Sequence, residues 1–200
     1  MSSSRYALAG WLAITHAVLF PLAFVVAIIQ NIIGIRVFHV RGPVFGPSDI
    51  IFIVSTALII YVLVMFRNLL NERYNCRDID TLISLSILWA VVFQIASVVL
   101  KTTLIGLWPD NEVLAIIINV SFVAVAMVTI GVIDLMIALR LLRIKEKLND
   151  LIVALAYISM VAGALEVSVV LSPLSLILVP ISSVVIGMIL LREKEEVEFV

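Results

Sequence analysis

Six stretches of the sequence are apolar enough and long enough to leave water for a lipid bilayer. They run roughly over Tyr6–Ile35, Ile50–Phe66, Ile79–Leu100, Val113–Leu139, Leu151–Leu171 and Leu174–Leu191. A spanning helix needs about 20 mainly apolar residues. Within a bilayer the backbone must satisfy its own hydrogen bonds, and a helix does so inside one segment. The pattern predicts an all-α fold: a polytopic integral membrane helical bundle of about six transmembrane helices, forming a single transmembrane domain over residues 1–200. Composition agrees. The chain is 64% hydrophobic and 14% charged, whereas soluble domains run at about 45–50% and about 25%. A water-soluble fold of this size has too little interior to hide that much apolar surface.

The first stretch does not read as a cleavable signal, because Pro21 and a long apolar continuation follow its start. The last two are separated only by Ser172-Pro173, a tight hairpin at which proline cannot cheaply continue the preceding helix. Lys and Arg in the short connections set the orientation. With the N-terminus inside, ten fall on the inner side: Arg5, Arg67, Arg73, Arg77, Arg140, Arg143, Lys145, Lys147, Arg192 and Lys194. Three fall outside: Arg36, Arg41 and Lys101. That bias predicts both termini in the cytoplasm of a cell with the bundle in its plasma membrane.

The longest outer connection, Arg36–Asp49, carries two Gly-Pro pairs, which favour defined turns. Ser48 and Asp49 suit the N-cap of the second helix. Two inner passages echo one another, FRNLLNERYNCRDIDTLISL and LRLLRIKEKLNDLIVAL, each ending one helix in a basic run and opening the next after an Asp. Similar inner-loop charge rules produce such strings without a true repeat.

Glu166 is the one acidic or basic side chain, Tyr157 aside, between Leu151 and Leu171. Ala156, Ser159, Gly163 and Glu166 fall on one helical stripe, and small residues mark the face where membrane helices pack closely. The carboxyl is therefore expected to point into the bundle and not into lipid, where ionisable groups are costly. In the fourth helix Ala124, Met127, Gly131, Asp134 and Ala138 repeat the pattern.

Counting residues from the helix ends places the two acids in different layers, about 12 Å apart in depth, which argues against a shared-proton pair. Gln94 and Asn119 come out near the depth of Glu166, as oxygen ligands of a cation or proton site or as interhelical hydrogen-bond glue. Asp134 shares the inner layer with Tyr61, Tyr157 and His16, and Arg67 or Arg143 could reach it by snorkelling from a helix end. His16 lies five residues before Pro21, which frees the carbonyl of Ala17. On the outer side, Arg36, His39 and Arg41 form a basic group suited to an anionic solute, a lipid headgroup or an acidic partner.

Other chemistries fail their tests. The sequence holds no HExxH, GxSxG or glycine-rich phosphate loop. Cys76 is the single cysteine and has no CxxC partner, so no metal site is expected. The second histidine lies in an outer connection, which disfavours a bis-histidine haem, and no cofactor is expected. A net charge of −1 gives no argument for nucleic acid. Three functions remain. The foremost is a small transporter or channel for an ion or small solute using the intramembrane carboxylates. The second is a non-catalytic subunit, scaffold or sensor of a larger membrane complex or homo-oligomer. The third, a lipid-modifying membrane enzyme, has least support because no catalytic constellation is present.

Overall fold

The computed structural model describes residues 2–37, 46–107 and 112–198, with side chains left aside at 2–4, 31–37, 104–107, 112–113, 115–116 and 193–198. Six long helices account for nearly all of it: α1 Ser2–Val37, α2 Pro47–Tyr74, α3 Asp80–Leu107, α4 Glu112–Arg143, α5 Asp150–Val167 and α6 Ser172–Glu198. Each contains a stretch long and apolar enough to cross a membrane. The chain is thus a six-helix, multi-pass membrane bundle, as the hydropathy pattern required.

The helices pack in chain order, α1 on α2, α2 on α3 and so on, and α6 closes the ring against α1. Large apolar side chains such as Trp11, Val18, Leu88, Ile95, Val125 and Ile177 stand on the outside of the ring. On a soluble protein such a continuous apolar exterior would be exceptional. In lipid it is the solvated surface.

Helix ends differ from the sequence expectation in instructive ways. The N-cap of α2 is Gly46, with Pro47 at the first helical position and Asp49 in the first turn. Asp49 Oδ2 accepts the Gly46 N–H at 2.8 Å, the half of a capping box that glycine can share. Ser48 and Asp49 are therefore inside the helix and not its caps. The fifth helix stops at Val167, four residues short of the expected Leu171. Ser168 ends it, and Val169 turns the chain with φ of 49°. That left-handed backbone is unusual for a β-branched residue. Ser172 Oγ donates to the Val169 carbonyl at 2.7 Å and secures the turn into α6. The two echoing inner passages share a local form, a short 3-10 turn at Arg77–Ile79 and another at Lys145–Lys147.

Two glycine crossings bring helices into near contact. A Cβ on Gly163 of α5 would lie 2.7 Å from the Gly131 carbonyl of α4, and one on Gly131 would lie 2.8 Å from both Gly163 O and Glu166 Cβ. At the other crossing, Gly10 of α1 and Gly187 of α6 stand in the same relation, with would-be contacts of 3.0 and 2.9 Å to each other's carbonyls. Without a hydrophobic force between helices in lipid, such close backbone approach is what makes association favourable.

The interior is not uniform along the bundle. A cluster of large apolar residues, including Val62, Phe66, Leu69, Ile79, Ile83, Leu141, Ile152, Leu155, Ile189 and Leu190, fills the half that holds the start of α1 and the end of α6. Polar ties brace this end: Arg5 Nη2 to Glu72 Oε1 at 2.8 Å, Tyr6 Oη to Glu72 Oε2 at 2.7 Å, and Arg67 Nη1 to Ser84 Oγ at 3.0 Å. Asn149 caps α5 and donates to Tyr74 Oη at 3.1 Å. In the opposite half most buried side chains are small or polar, among them Ala23, Ser48, Asp49, Ser55, Ala162, Glu166 and Ser175, with Ile133 a large apolar exception.

Candidate functional site

Glu166 sits where α4, α5 and α6 meet. It occupies the last turn of α5, and only 4% of the residue is exposed. Gly131 of α4 lies against its Cβ, and the Ser175 hydroxyl of α6 comes near its carboxyl group. The turn at 168–171 is what makes this possible, since it folds Ser175 back beside the residue nine positions earlier. The second carboxyl oxygen, Oε2, is fully buried and has no hydrogen-bond partner among the described residues. A buried oxygen of this kind ordinarily costs about 1–3 kcal/mol, more if charged. An orphan oxygen inside a membrane bundle therefore needs a reason.

Asp134 is much closer to Glu166 than the count from helix ends suggested. At the glycine crossing, residue 131 of α4 faces residues 163–167 of α5, and residue 163 faces 131–135. That antiparallel register sets Asp134 opposite residue 162, about 6 Å along the axis from Glu166. The two acids interact electrostatically. The estimate of about 12 Å in separate layers fails because α4 runs on to Arg143 while α5 ends at Val167, so their ends do not lie level.

The remaining sequence candidates disperse. Gln94 Oε1 accepts from Thr56 Oγ1 at 3.1 Å across the α2–α3 contact. Asn119 lies about 16 Å along α4 from the point facing Glu166, beyond the end of α5. Tyr61 is half-buried against the apolar cluster and Tyr157 is 48% exposed, so neither tyrosine forms a layer around Asp134. Arg67 is engaged by Ser84 and Arg143 is exposed. Arg36 belongs to the last turns of α1, where only its backbone is described, and His39 and Arg41 lie outside the described residues.

His16 is buried against α6, with Nδ1 2.9 Å from Ser183 Oγ. Ser183 Oγ donates to the Val179 carbonyl at 3.0 Å. The histidine tautomer sets which of the two donates. Its ring also packs on Phe20, with centroids 5.6 Å apart. The histidine joins α1 to α6 as part of the packing, a full two turns of α6 from Ser175. Pro21 in α1 and Pro180 in α6 fall close to one another by this register, each removing a helical hydrogen bond next to the polar half.

One feature escaped the sequence reading altogether. Lys101 of α3 forms an ion pair with Asp49 of α2, and Asp49 is 3% exposed. Together with Ser48 Oγ donating to Gln30 Oε1 at 3.0 Å, it ties α1, α2 and α3 at the end away from the termini. Both residues sit at the helix margins, where a charge carries no signal by itself.

No protein family, no characterised protein and no solved structure matches the chain. The fold and the site define a class, a multi-pass membrane bundle with a buried Glu166 and a half-buried Asp134 near it. Function must be argued from that interior.

Proposed function

We propose that the protein is a small transporter or channel for an ion or small solute, with Glu166 and Asp134 as its charged stations. In this reading both termini face the cytoplasm, in keeping with the ten-to-three bias of basic residues, and the polar half opens to the outside of the cell. The observation that carries the proposal is the division of the interior. One half is filled by large apolar side chains, while the other buries Ser48, Asp49, Ser55, Glu166 and Ser175. A scaffold has no need to put hydroxyls and acids in one half of a bundle whose other half is packed with Leu, Ile and Phe. A pathway does: polar walls admit the solute and the packed half prevents leakage. Intramembrane acids facing a bundle interior mark ion and substrate paths as a rule.

The test is flux in proteoliposomes for wild type, Glu166→Gln and Asp134→Asn, with melting in detergent as the folding control. Glu166→Gln should abolish a pH-dependent flux while leaving the folded yield near that of wild type, and Glu166→Asp should be intermediate. Because the acids are neighbours, the two neutral variants should not be additive. A wild type that moves no ion or solute, or a Glu166→Gln protein that transports normally, would shift the reading to a subunit or scaffold of a larger complex.

A further inference from the structure

A row of polar ties joins α2 to α3 in one antiparallel register. Asn71 Nδ2 donates to both carboxyl oxygens of Asp80 at 2.8 Å, and Arg67 Nη1 donates to Ser84 Oγ at 3.0 Å. Further along, Thr56 Oγ1 donates to Gln94 Oε1 at 3.1 Å, and Lys101 pairs with Asp49. Steps of 4, 11 and 7 residues along α2 are answered by steps of 4, 10 and 7 along α3.

The packing beneath these ties changes along α3. In its first turns and the 3-10 turn before them, Ile79, Leu82, Ile83 and Ser86 are buried, and Ile79 and Ile83 belong to the apolar cluster. From Ile87 to Thr103 no described residue of α3 is buried. Neither glycine crossing involves α3. Its far half meets α4 through Phe93, stacked on Phe122 with centroids 5.1 Å apart. Apolar contact between helices gains little over contact with lipid tails. The two outer ties, Thr56 with Gln94 and Asp49 with Lys101, are therefore what hold the far half of α3 to α2.

We propose that α3 pivots about its buried first turns and that its far half is the gate of the polar interior. The gating clause rests on the transport reading; the pivot does not. The present arrangement is the closed form. Helix α3 holds no proline and no glycine before Gly106, so it tilts as a rod and does not bend. A tilt of about 15° about Ser86 moves Gln94 sideways by about 3 Å and Lys101 by about 6 Å, which parts both outer ties.

Each parted group has another partner to take. Thr56 can turn its hydroxyl to the carbonyl four residues back, as Thr15 does at 3.0 Å and Thr129 at 2.8 Å. Lys101 can snorkel to the membrane surface. Asp49 keeps the Gly46 N–H and meets the water that enters. Ser55, next to Thr56, has its hydroxyl buried without a partner among the described residues when α3 is closed, and gains water when it opens. The ties at the first turns have no such freedom, because they lie beside the buried Phe66, Leu69 and Leu70 of α2.

Double electron–electron resonance on the full-length protein in lipid nanodiscs reads the pivot without requiring flux. In a Cys76→Ser background, spin labels at Val99→Cys of α3 and Ile177→Cys of α6, both exposed positions, should give two distances. Labels at Leu85→Cys and Met188→Cys, near the pivot, should give one. Lys101→Met should raise the share of the longer outer distance several-fold. The closed form then buries an unpaired Asp49, whereas the open form lets water reach it. Lys101→Arg should keep the wild-type proportions. Gln94→Leu leaves Asp49 paired, so it should move the outer pair the same way even if Lys101→Met fails to fold. An outer distance that neither Lys101→Met nor Gln94→Leu moves would overturn the proposal. So would equal broadening of both pairs, which would mean that α3 loosens as a whole. Two outer distances in a protein without flux would leave the pivot standing and remove the transport reading.

Discussion

A side chain added at Gly163 should damage the bundle by an amount the crossing with α4 makes calculable. The new Cβ would meet the Gly131 carbonyl oxygen at 2.7 Å, Leu135 Cγ at 2.9 Å and Leu135 N at 3.0 Å. Ordinary carbon–oxygen contacts begin near about 3.3 Å, so α4 and α5 must separate by roughly half an ångström or more. Two of the three obstacles are backbone and cannot rotate away. Overpacking of this kind costs about 1–3 kcal/mol, and alanine should fall towards the top of that range. Against it stands a gain of about 1 kcal/mol from replacing glycine by alanine in a helix. The net loss for Gly163→Ala is then about 1–2 kcal/mol, and Gly163→Val should lose more. At about 2–4 °C per kcal/mol for a chain of this size, Gly163→Ala should melt roughly 2–8 °C lower in detergent. Gly10→Ala at the other crossing should also lose stability, since the new Cβ would meet Leu191 Cγ at 2.7 Å and the Gly187 carbonyl at 3.0 Å. Ala164→Val, at the exposed neighbouring position, should leave the melting temperature almost unchanged. If Gly163→Val and Ala164→Val melt together, the crossing does not hold α4 to α5 and the placement of Glu166 beside Gly131 loses its support.

Three further outcomes are expected. Lys101→Met should cost about 3 kcal/mol or more, read as a lower melting temperature, because it leaves Asp49 buried and unpaired; adding Asp49→Asn should recover much of the loss. Burial, reinforced by Asp78 and opposed by Lys147, pushes the Cys76 thiol above its usual range. Its contribution to stability is full below the ordinary thiol range and is lost as pH rises through the folded value, so maleimide labelling of folded protein should be slow near neutrality and quicken as pH rises. Labelling of single cysteines in a background lacking Cys76 should find positions 40 and 107 reachable from outside sealed cells and positions 75 and 146 only from inside. Outside labelling of position 146 would reverse the topology.

The number of helices was legible because burial in lipid demands an uninterrupted apolar run, and nothing else in a sequence looks like six of them. The small-residue stripe was legible for a similar reason. Ala156, Gly163 and Glu166 of α5 are buried together, as are Gly131 and Ala138 of α4, and a 3.6-residue period allows no other common face. What the sequence could not carry was the relative height of neighbouring helices. Depth was counted from the ends of charged loops, yet α5 is closed early by Val169 while α4 continues to Arg143, and a few residues of stagger at about 1.5 Å each removed half of the expected separation. Asn119 was misplaced by the same arithmetic in the opposite sense. Polar pairs at the helix margins, Asp49 with Lys101 and Gln30 with Ser48, were invisible because each residue is unexceptional until a partner on another helix is brought level with it.

The stagger that spoiled the depth count is also what gives the interior its chemistry. Had α5 run to Leu171, Ser175 would have lain beyond the end of a longer helix, and Glu166 would have faced α6 without a hydroxyl beside it. Ending α5 at Val167 folds Ser175 onto the carboxyl, and the Gly131–Gly163 crossing sets Asp134 about one turn away on the other side. The cost is a valine in the left-handed region, about 1–2 kcal/mol that glycine would not incur. A strained residue three positions after an orphan buried oxygen is the arrangement expected where the surrounding structure sacrifices local stability to hold a site. The turn at 168–171 is on this view the part of the fold that sets the surroundings of Glu166, and if the proposed transport reading holds, substitutions there should alter flux even though none of those residues has a charge.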